Sequence, residues 1–152
     1  KIYVVMLNTK KIFVVDDDIF TSAIFKQHLQ NLGYNDITCF SSGTLCLNHL
    51  QERPDIILLD HEMGDLTGFD VLIKIKRFDP NIYVVMVSGQ EDMMTAIDSL
   101  KYGAFDYIIK GDDTTYKITK VMERIGEIHR LIEQKKNNPF NKLSNLLTSV
   151  FF

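Results

Sequence analysis

Short runs of apolar, mostly β-branched residues recur along the chain, separated by stretches in which apolar residues return every three or four positions. The runs at 12–15, 37–40, 56–59, 82–87 and 107–109 each predict a buried strand. Between them, Phe20, Ile24, Phe25 and Leu29 form one helical stripe. Leu66, Phe69, Leu72, Ile73 and Ile75 form a second, and Met93, Met94, Ile97 and Leu100 a third. The longest helix is expected over 115–134, where Ile118, Val121, Met122, Ile125, Ile128 and Ile132 share a face. Strands without polar alternation, each followed by a helix, point to a parallel sheet covered on both sides and joined by right-handed crossovers. The expected class is therefore a doubly wound α/β fold.

Local punctuation agrees with this map. Asp18 is placed to cap a helix starting at Ile19, Ser41 or Ser42 to cap the second, and Asp112 or Asp113 the last, while Gly33 stops the first. The polar run at 135–139 ends in proline and reads as a linker. Beyond it Phe140, Leu143, Leu146, Leu147, Val150 and Phe151 fall on one helical face, which packs on its own domain or on a partner. The apolar run at 1–7 has strand character, but only three residues join it to a strand that should be central. It must reach a sheet edge, pair with another molecule or pack irregularly. The expected organisation is an apolar extension at 1–10, one domain at 11–135, and a linker with an amphipathic tail at 136–152.

Composition narrows the class. A chain of 152 residues, 45% hydrophobic, supports one domain with a substantial core. A formal charge of −3 gives no long-range attraction to nucleic acid or anionic lipid, so direct nucleic acid binding is not expected. Cys39 and Cys46 have no companion Cys or His cluster at zinc spacing and read as two reduced thiols in a cytoplasmic protein. No apolar run approaches the ~18 residues that cross a bilayer, so a soluble protein without a membrane partner is expected.

In open parallel sheets, functional groups gather past the carboxyl ends of the strands. Here those ends carry Asp16-Asp17-Asp18, Asp60, Ser88 and Lys110. Carboxylates converging in one crevice disfavour one another's charge, and a hard divalent cation such as Mg²⁺ resolves the conflict with oxygen ligands. Lys110 adds a positive charge and Ser88 a hydroxyl for a phosphoryl oxygen. A carboxylate beside a metal and a lysine suits phosphoryl acceptance, and Asp60, alone after the strand at 56–59, is the best nucleophile.

These segments, in order, resemble the response regulator receiver domains of two-component signalling: Ile12 to Asp17, Pro54 to Asp60 with Met63 and Gly68, Val87-Ser88-Gly89, and Gly103 to Lys110. The resemblance implies a (βα)5 flavodoxin-like fold of strand order 2-1-3-4-5. It further implies that Asp60 is phosphorylated by a sensor histidine kinase or histidine phosphotransfer protein. Asp17 and Asp16 would bind Mg²⁺ with Asp60, and the backbone carbonyl of Glu62 would complete the ligands. Ser88 and Tyr107 would be the switch pair, Glu62 and Gln90 would tune the lifetime of the phosphate, and Lys110 would assist transfer. The readout face would be the fourth helix, fifth strand and fifth helix, acting on a downstream protein. Such a domain catalyses only its own phosphorylation and dephosphorylation. The 18 residues after Gln134 contain no effector motif, so output from this chain is expected to be protein–protein, and the apolar termini favour a homodimer.

Two positions depart from the family pattern: Gly64 and Gly111 stand where proline is usual. The Lys110–Gly111 bond is accordingly expected to be trans. Two rival readings remain: an interaction module that kept the fold without the switch, and a haloacid-dehalogenase-type phosphatase. The latter also uses an Asp nucleophile, Mg²⁺ and a lysine, but expects Thr or Val where Phe20 stands.

Overall fold

Five parallel strands pair in the order β2-β1-β3-β4-β5 in the computed structural model, which describes residues 9–89 and 91–151. Chain order is β1 (Lys11–Val15), α1 (Ile19–Asn31), β2 (Asp36–Phe40), α2 (Gly43–Asn48) with a 3₁₀ turn at Leu50–Glu52, then β3 (Ile56–Leu59) and α3 (Gly68–Phe78). It continues with β4 (Tyr83–Ser88), α4 (Met93–Lys101), β5 (Asp106–Ile109), α5 (Thr114–Asn137) and α6 (Pro139–Phe151). This is the doubly wound flavodoxin-like order expected from the sequence. The strand-like run at 1–7 and Gln90 lie outside the described residues.

The central strands are apolar along almost their whole length because the middle of the sheet is buried on both faces. Phe13 and Val15, Ile57 and Leu59, and Val84 and Met86 share one core with Cys46, Val71, Leu72 and Ile75 from α2 and α3. Ile12, Val14, Ile56, Leu58, Val85 and Val87 hold the alternate positions and are equally buried. Each such side chain stabilises the fold by about 1.5–3 kcal/mol. Edge strands relax the rule: Cys39 in β2 and Ile109 in β5 are exposed. Cys39 and Cys46 are both free thiols, and burial pushes Cys46 up to about 12.

The first two helices are capped as the sequence indicates. Asp18 accepts from the Phe20 amide, Ser42 rather than Ser41 accepts from the Leu45 amide, and α5 starts directly after Asp113. Gly33, at φ 101°, closes α1 with its amide on the Gln30 carbonyl and the Tyr34 amide on the Leu29 carbonyl, a Schellman stop.

Three helical stripes differ from expectation. In α1 the buried residues are Ser22, Phe25 and Leu29, while Phe20 is 81% exposed and Ile24 also faces solvent. The buried stripe is rotated away from the apolar one. In α3, Val71, Leu72 and Ile75 are buried, and Leu66 precedes the helix. In α4 the whole predicted stripe, Met93, Met94, Ile97 and Leu100, is exposed, and Ser99 is the buried residue. The polar run at 135–139, expected to be a short linker, is mostly helical. Helix α5 continues to Asn137, and only Asn138 separates it from α6. Asn138 Oδ1 accepts from the Phe140 amide at 3.1 Å, leaving Pro139 at the first helical position, where its missing N–H costs nothing.

The chain divides into two compact units, one ending at Thr119 and one beginning at Lys120. In the first, ladder-like bonds continue one residue past three strands: the Asp16 amide donates to Phe40, the Asp60 amide to Val15 and the Lys110 amide to Ser88, at 3.1, 2.9 and 2.8 Å. Those bonds fix the backbone from which the polar side chains of one crevice project. No described helix is long and apolar enough to cross a membrane.

Candidate functional site

Asp16 and Asp17 follow β1, Asp60 follows β3 and Lys110 follows β5, and the fold brings all four into one crevice with Asp18, Glu62, Gly64 and Gly89. Oxygens of Asp16, Asp17 and Asp60 lie within 4.8 Å of one another. Asp16 and Asp60 are 3% and 6% exposed, while Asp17 opens to solvent. The Lys110 ammonium bridges the two buried acids, 2.7 Å from Asp16 Oδ2 and 3.4 Å from Asp60 Oδ1. The Asp18 amide donates to Asp16 Oδ1 at 2.9 Å and the His61 amide to Asp60 Oδ1 at 2.8 Å.

Burial raises the Asp60 carboxyl above its ordinary value, and the charge of Asp16 adds to this, against the opposing pull of Lys110 and the His61 amide. Burial works against the Lys110 ammonium, but its bond to Asp16 and the charges of both acids outweigh that, so its pKa is raised. Three carboxylates answered by one ammonium leave excess negative charge in a partly dry pocket. An all-oxygen donor set of that charge fits a hard divalent cation.

Asp18 is engaged elsewhere. It accepts from the Phe20 amide at 3.0 Å and the Thr21 hydroxyl at 2.9 Å, and the Thr21 bond is the main reason its carboxyl is held low. It is the helix cap, which removes the second acid that a phosphatase of the haloacid-dehalogenase type would require.

The loop after Asp60 is shaped by two glycines. Gly64 sits at φ 82°, which proline, locked near −65°, cannot adopt, so the departure from the family pattern is built into this backbone. Gly68 donates its amide to the His61 carbonyl at 2.7 Å, and a Cβ there would stand 2.2 Å from the Asp60 carbonyl oxygen. Glu62 pairs with Thr67 across the same loop. Ser88 is fully buried, and Tyr107 is half-buried with its phenol pushed up by burial, opposed by a hydrogen bond with Ser88. The two residues of the expected switch pair are neighbours. Gln90 lies outside the described residues.

Sequence reasoning missed Thr114. Its hydroxyl accepts from the Gly111 amide and donates to the Gly111 carbonyl, both at 2.7 Å, closing the turn that follows Lys110. The signal present was a threonine three residues beyond a glycine at a helix start, a pattern too common to single out. No cis peptide occurs among the described residues, so the Lys110–Gly111 bond is trans as expected.

The sequence model of one family, the response regulator receiver domain, matches residues 12–122. The transcriptional regulatory protein ZraR of Escherichia coli O157:H7 is 38% identical over 100 residues, covering 65% of this chain and 22% of ZraR. The chain therefore spans well under a third of that relative. A response regulator receiver domain protein from Clostridium thermocellum superposes with a TM-score of 0.73 at 29% identity, covering 81% of this chain and 98% of its own. The crystal structure of the CheX-CheY-BeF3-Mg²⁺ complex from Borrelia burgdorferi gives 0.69 at 28% identity, covering 76% of this chain and 89% of the matched one.

Proposed function

This chain belongs to the response regulator receiver domain family, and on that premise we propose that it is a phosphorylation switch with Asp60 as acceptor. The donor is the phosphohistidine of a sensor histidine kinase or a histidine phosphotransfer protein. The observation that carries the reading is the buried Asp60 carboxylate, paired with Lys110 and grouped with Asp16 and Asp17 at the strand ends.

Among the described residues no hydrogen bond reaches Asp60 Oδ2, because the His61 amide and Lys110 both address Oδ1. Oδ2 is therefore the oxygen that bonds to phosphorus as the phosphorus–nitrogen bond to the donor imidazole breaks, its electron pair leaving on the nitrogen. Asp16, Asp17 and Asp60, with the Glu62 backbone carbonyl, are the groups that would hold Mg²⁺, which would neutralise charge on the phosphoryl oxygens. A relative crystallised with BeF3 and Mg²⁺ supports this choice of ion. Lys110 stays with the charge as it moves outward onto the phosphoryl group.

The Ser88 hydroxyl turns to a phosphoryl oxygen, and Tyr107, its neighbour, follows inward. That motion alters α4, β5 and the start of α5, where Ile97, Leu100, Ile109 and Tyr116 are exposed for a downstream protein. Glu62 at the crevice rim repels hydroxide and, with Gln90, sets the lifetime of the phosphate. The chain works in the cytoplasm as a switch, turns over no diffusing substrate, and makes no direct contact with nucleic acid.

Incubation with Mg²⁺ and acetyl phosphate or beryllofluoride tests the reading by mass and by tyrosine fluorescence. A Mg²⁺-dependent change that Asp60→Asn abolishes is expected. No Mg²⁺-dependent change would leave the fold as an interaction module that lost its switch.

A further inference from the structure

Lys110 has to hold its ammonium within reach of Asp16 and Asp60 from the tip of a strand whose next residue is Gly111. Gly111 is exposed, and a Cβ built there would meet only Asp113 Oδ1, at 3.6 Å, so packing does not restrain it. Glycine also has the widest backbone freedom of any residue. Gly111 also has no ring to fix φ at this turn, as a proline would.

The restraint comes from Thr114. Thr114 is 6% exposed at the first position of α5. Its Oγ1 accepts from the Gly111 amide at 2.7 Å and donates to the Gly111 carbonyl at 2.7 Å, and the Thr114 amide approaches the same carbonyl at 3.3 Å. One hydroxyl thus satisfies both polar groups of the most pliable residue in the turn, using its single proton and a lone pair. A β-branched side chain has few rotamers to lose at a helix start, so the clasp is inexpensive to hold. On the other side of Lys110, its own amide is fixed to Ser88. The lysine backbone is therefore gripped from both directions.

We propose that Thr114 is a positioning residue for Lys110, its hydroxyl fixing the Gly111 turn so that the ammonium stays aligned on Asp60 during phosphoryl transfer. The inference rests on the reading of Asp60 as acceptor. It assigns the hydroxyl no contact with the phosphoryl group and no part in holding Mg²⁺.

The test uses the full chain with acetyl phosphate at saturating Mg²⁺. Thr114→Val, which keeps the shape and removes the hydroxyl, is expected to slow phosphorylation roughly tenfold, since misplacement by an ångström costs up to about a hundredfold. Thr114→Ser is expected to stay within about twofold of the parent, and Mg²⁺ affinity to be unchanged in both. Thr114→Ala, which suits a helix start, serves in case valine disturbs folding. Loss of exchange protection at the Gly111 amide should accompany Val and Ala but not Ser. In a Lys110→Ala background, Thr114→Val should add little, because it acts through the lysine.

Folded Val and Ala variants that phosphorylate at the parent rate overturn the inference. So does a Ser variant as slow as Val, or a full additional loss on top of Lys110→Ala. If the parent itself takes no phosphate, or Asp60→Asn takes as much, the acceptor reading falls and this inference with it. A parent phosphorylated on Asp60 with a flat Thr114 series overturns this inference alone.

Discussion

Asp60 carries its negative charge against the burial of its site, and that cost should appear in stability. Burial, with Asp16 alongside, places its folded pKa above the ordinary 3.8. Between those values the folded state binds more protons than the unfolded one, so stability falls as pH rises through that window and stays reduced above it. In metal-free buffer at pH 7, Asp60→Asn should therefore melt a few degrees above the parent, and the gap should close as the pH is lowered through the carboxyl range. Calorimetry across that range decides it; an Asn variant that melts below the parent at pH 7 contradicts the argument. Gly68 is constrained from the opposite direction, by space. A Cβ would meet the Asp60 carbonyl at 2.2 Å and the His61 Cα at 2.8 Å, both main chain, so Gly68→Ala must move the acceptor loop. It should cost about 1–3 kcal/mol in denaturant unfolding and slow phosphorylation as well. Asp16, Asp17, Asp60 and Lys110 were legible in the sequence because strand ends are legible, and parallel topology does the rest. The reason for Gly68 was not, since it lies in the close approach of the two ends of one loop. Nor was Thr114, whose importance comes from burial and from a neighbour that lacks a side chain.

Helical periodicity revealed that the helices exist but did not fix which edge of each stripe is covered. In α1, Phe25 and Leu29 turn inward with Ser22, and Phe20, as large as Phe25, is left outside. In α4 an entire apolar face points to solvent, with Met93 73% exposed. A sequence records that a face is apolar; whether that face meets the sheet depends on the tilt and rotation of the helix, which the strands and loops dictate. The strands were easier to read, because Ile56 to Leu59 and Val84 to Val87 have no polar side to misplace. Only at the edges did burial escape the pattern, as at Cys39 and Ile109. The energetic consequence can be measured. Ile97→Ser in α4 should change unfolding free energy by no more than about 0.5 kcal/mol, as surface substitutions do. Leu72→Ala in α3, from a fully buried position, should cost about 2–5 kcal/mol. Equal losses at the two sites would mean that the α4 face is covered in solution.

Stability is distributed unevenly over the chain. The sheet unites β1, β3 and β4 at its centre, where every residue of β3 is buried, whereas α6 buries none of its 13 residues. Helices of that length are close to marginal in water unless a packed face supports them. The spacing of Phe140, Leu143, Leu147 and Val150 made the amphipathic tail readable, but the sharp break at Asn138 was not, because lysine and asparagine are equally at home in a helix and in a linker. Hydrogen exchange should separate these elements. Amides of β1, β3 and β4 should exchange only by global unfolding, while those of α6 should exchange through local opening, orders of magnitude faster. Truncation after Asn138 should correspondingly leave the melting temperature and Asp60 phosphorylation unchanged. Protection in α6 comparable to that in β3 would show its apolar face covered in solution, and dilution then identifies the cover. Protection that fades as the protein is diluted comes from a second copy of the chain, whereas protection independent of concentration comes from the chain itself.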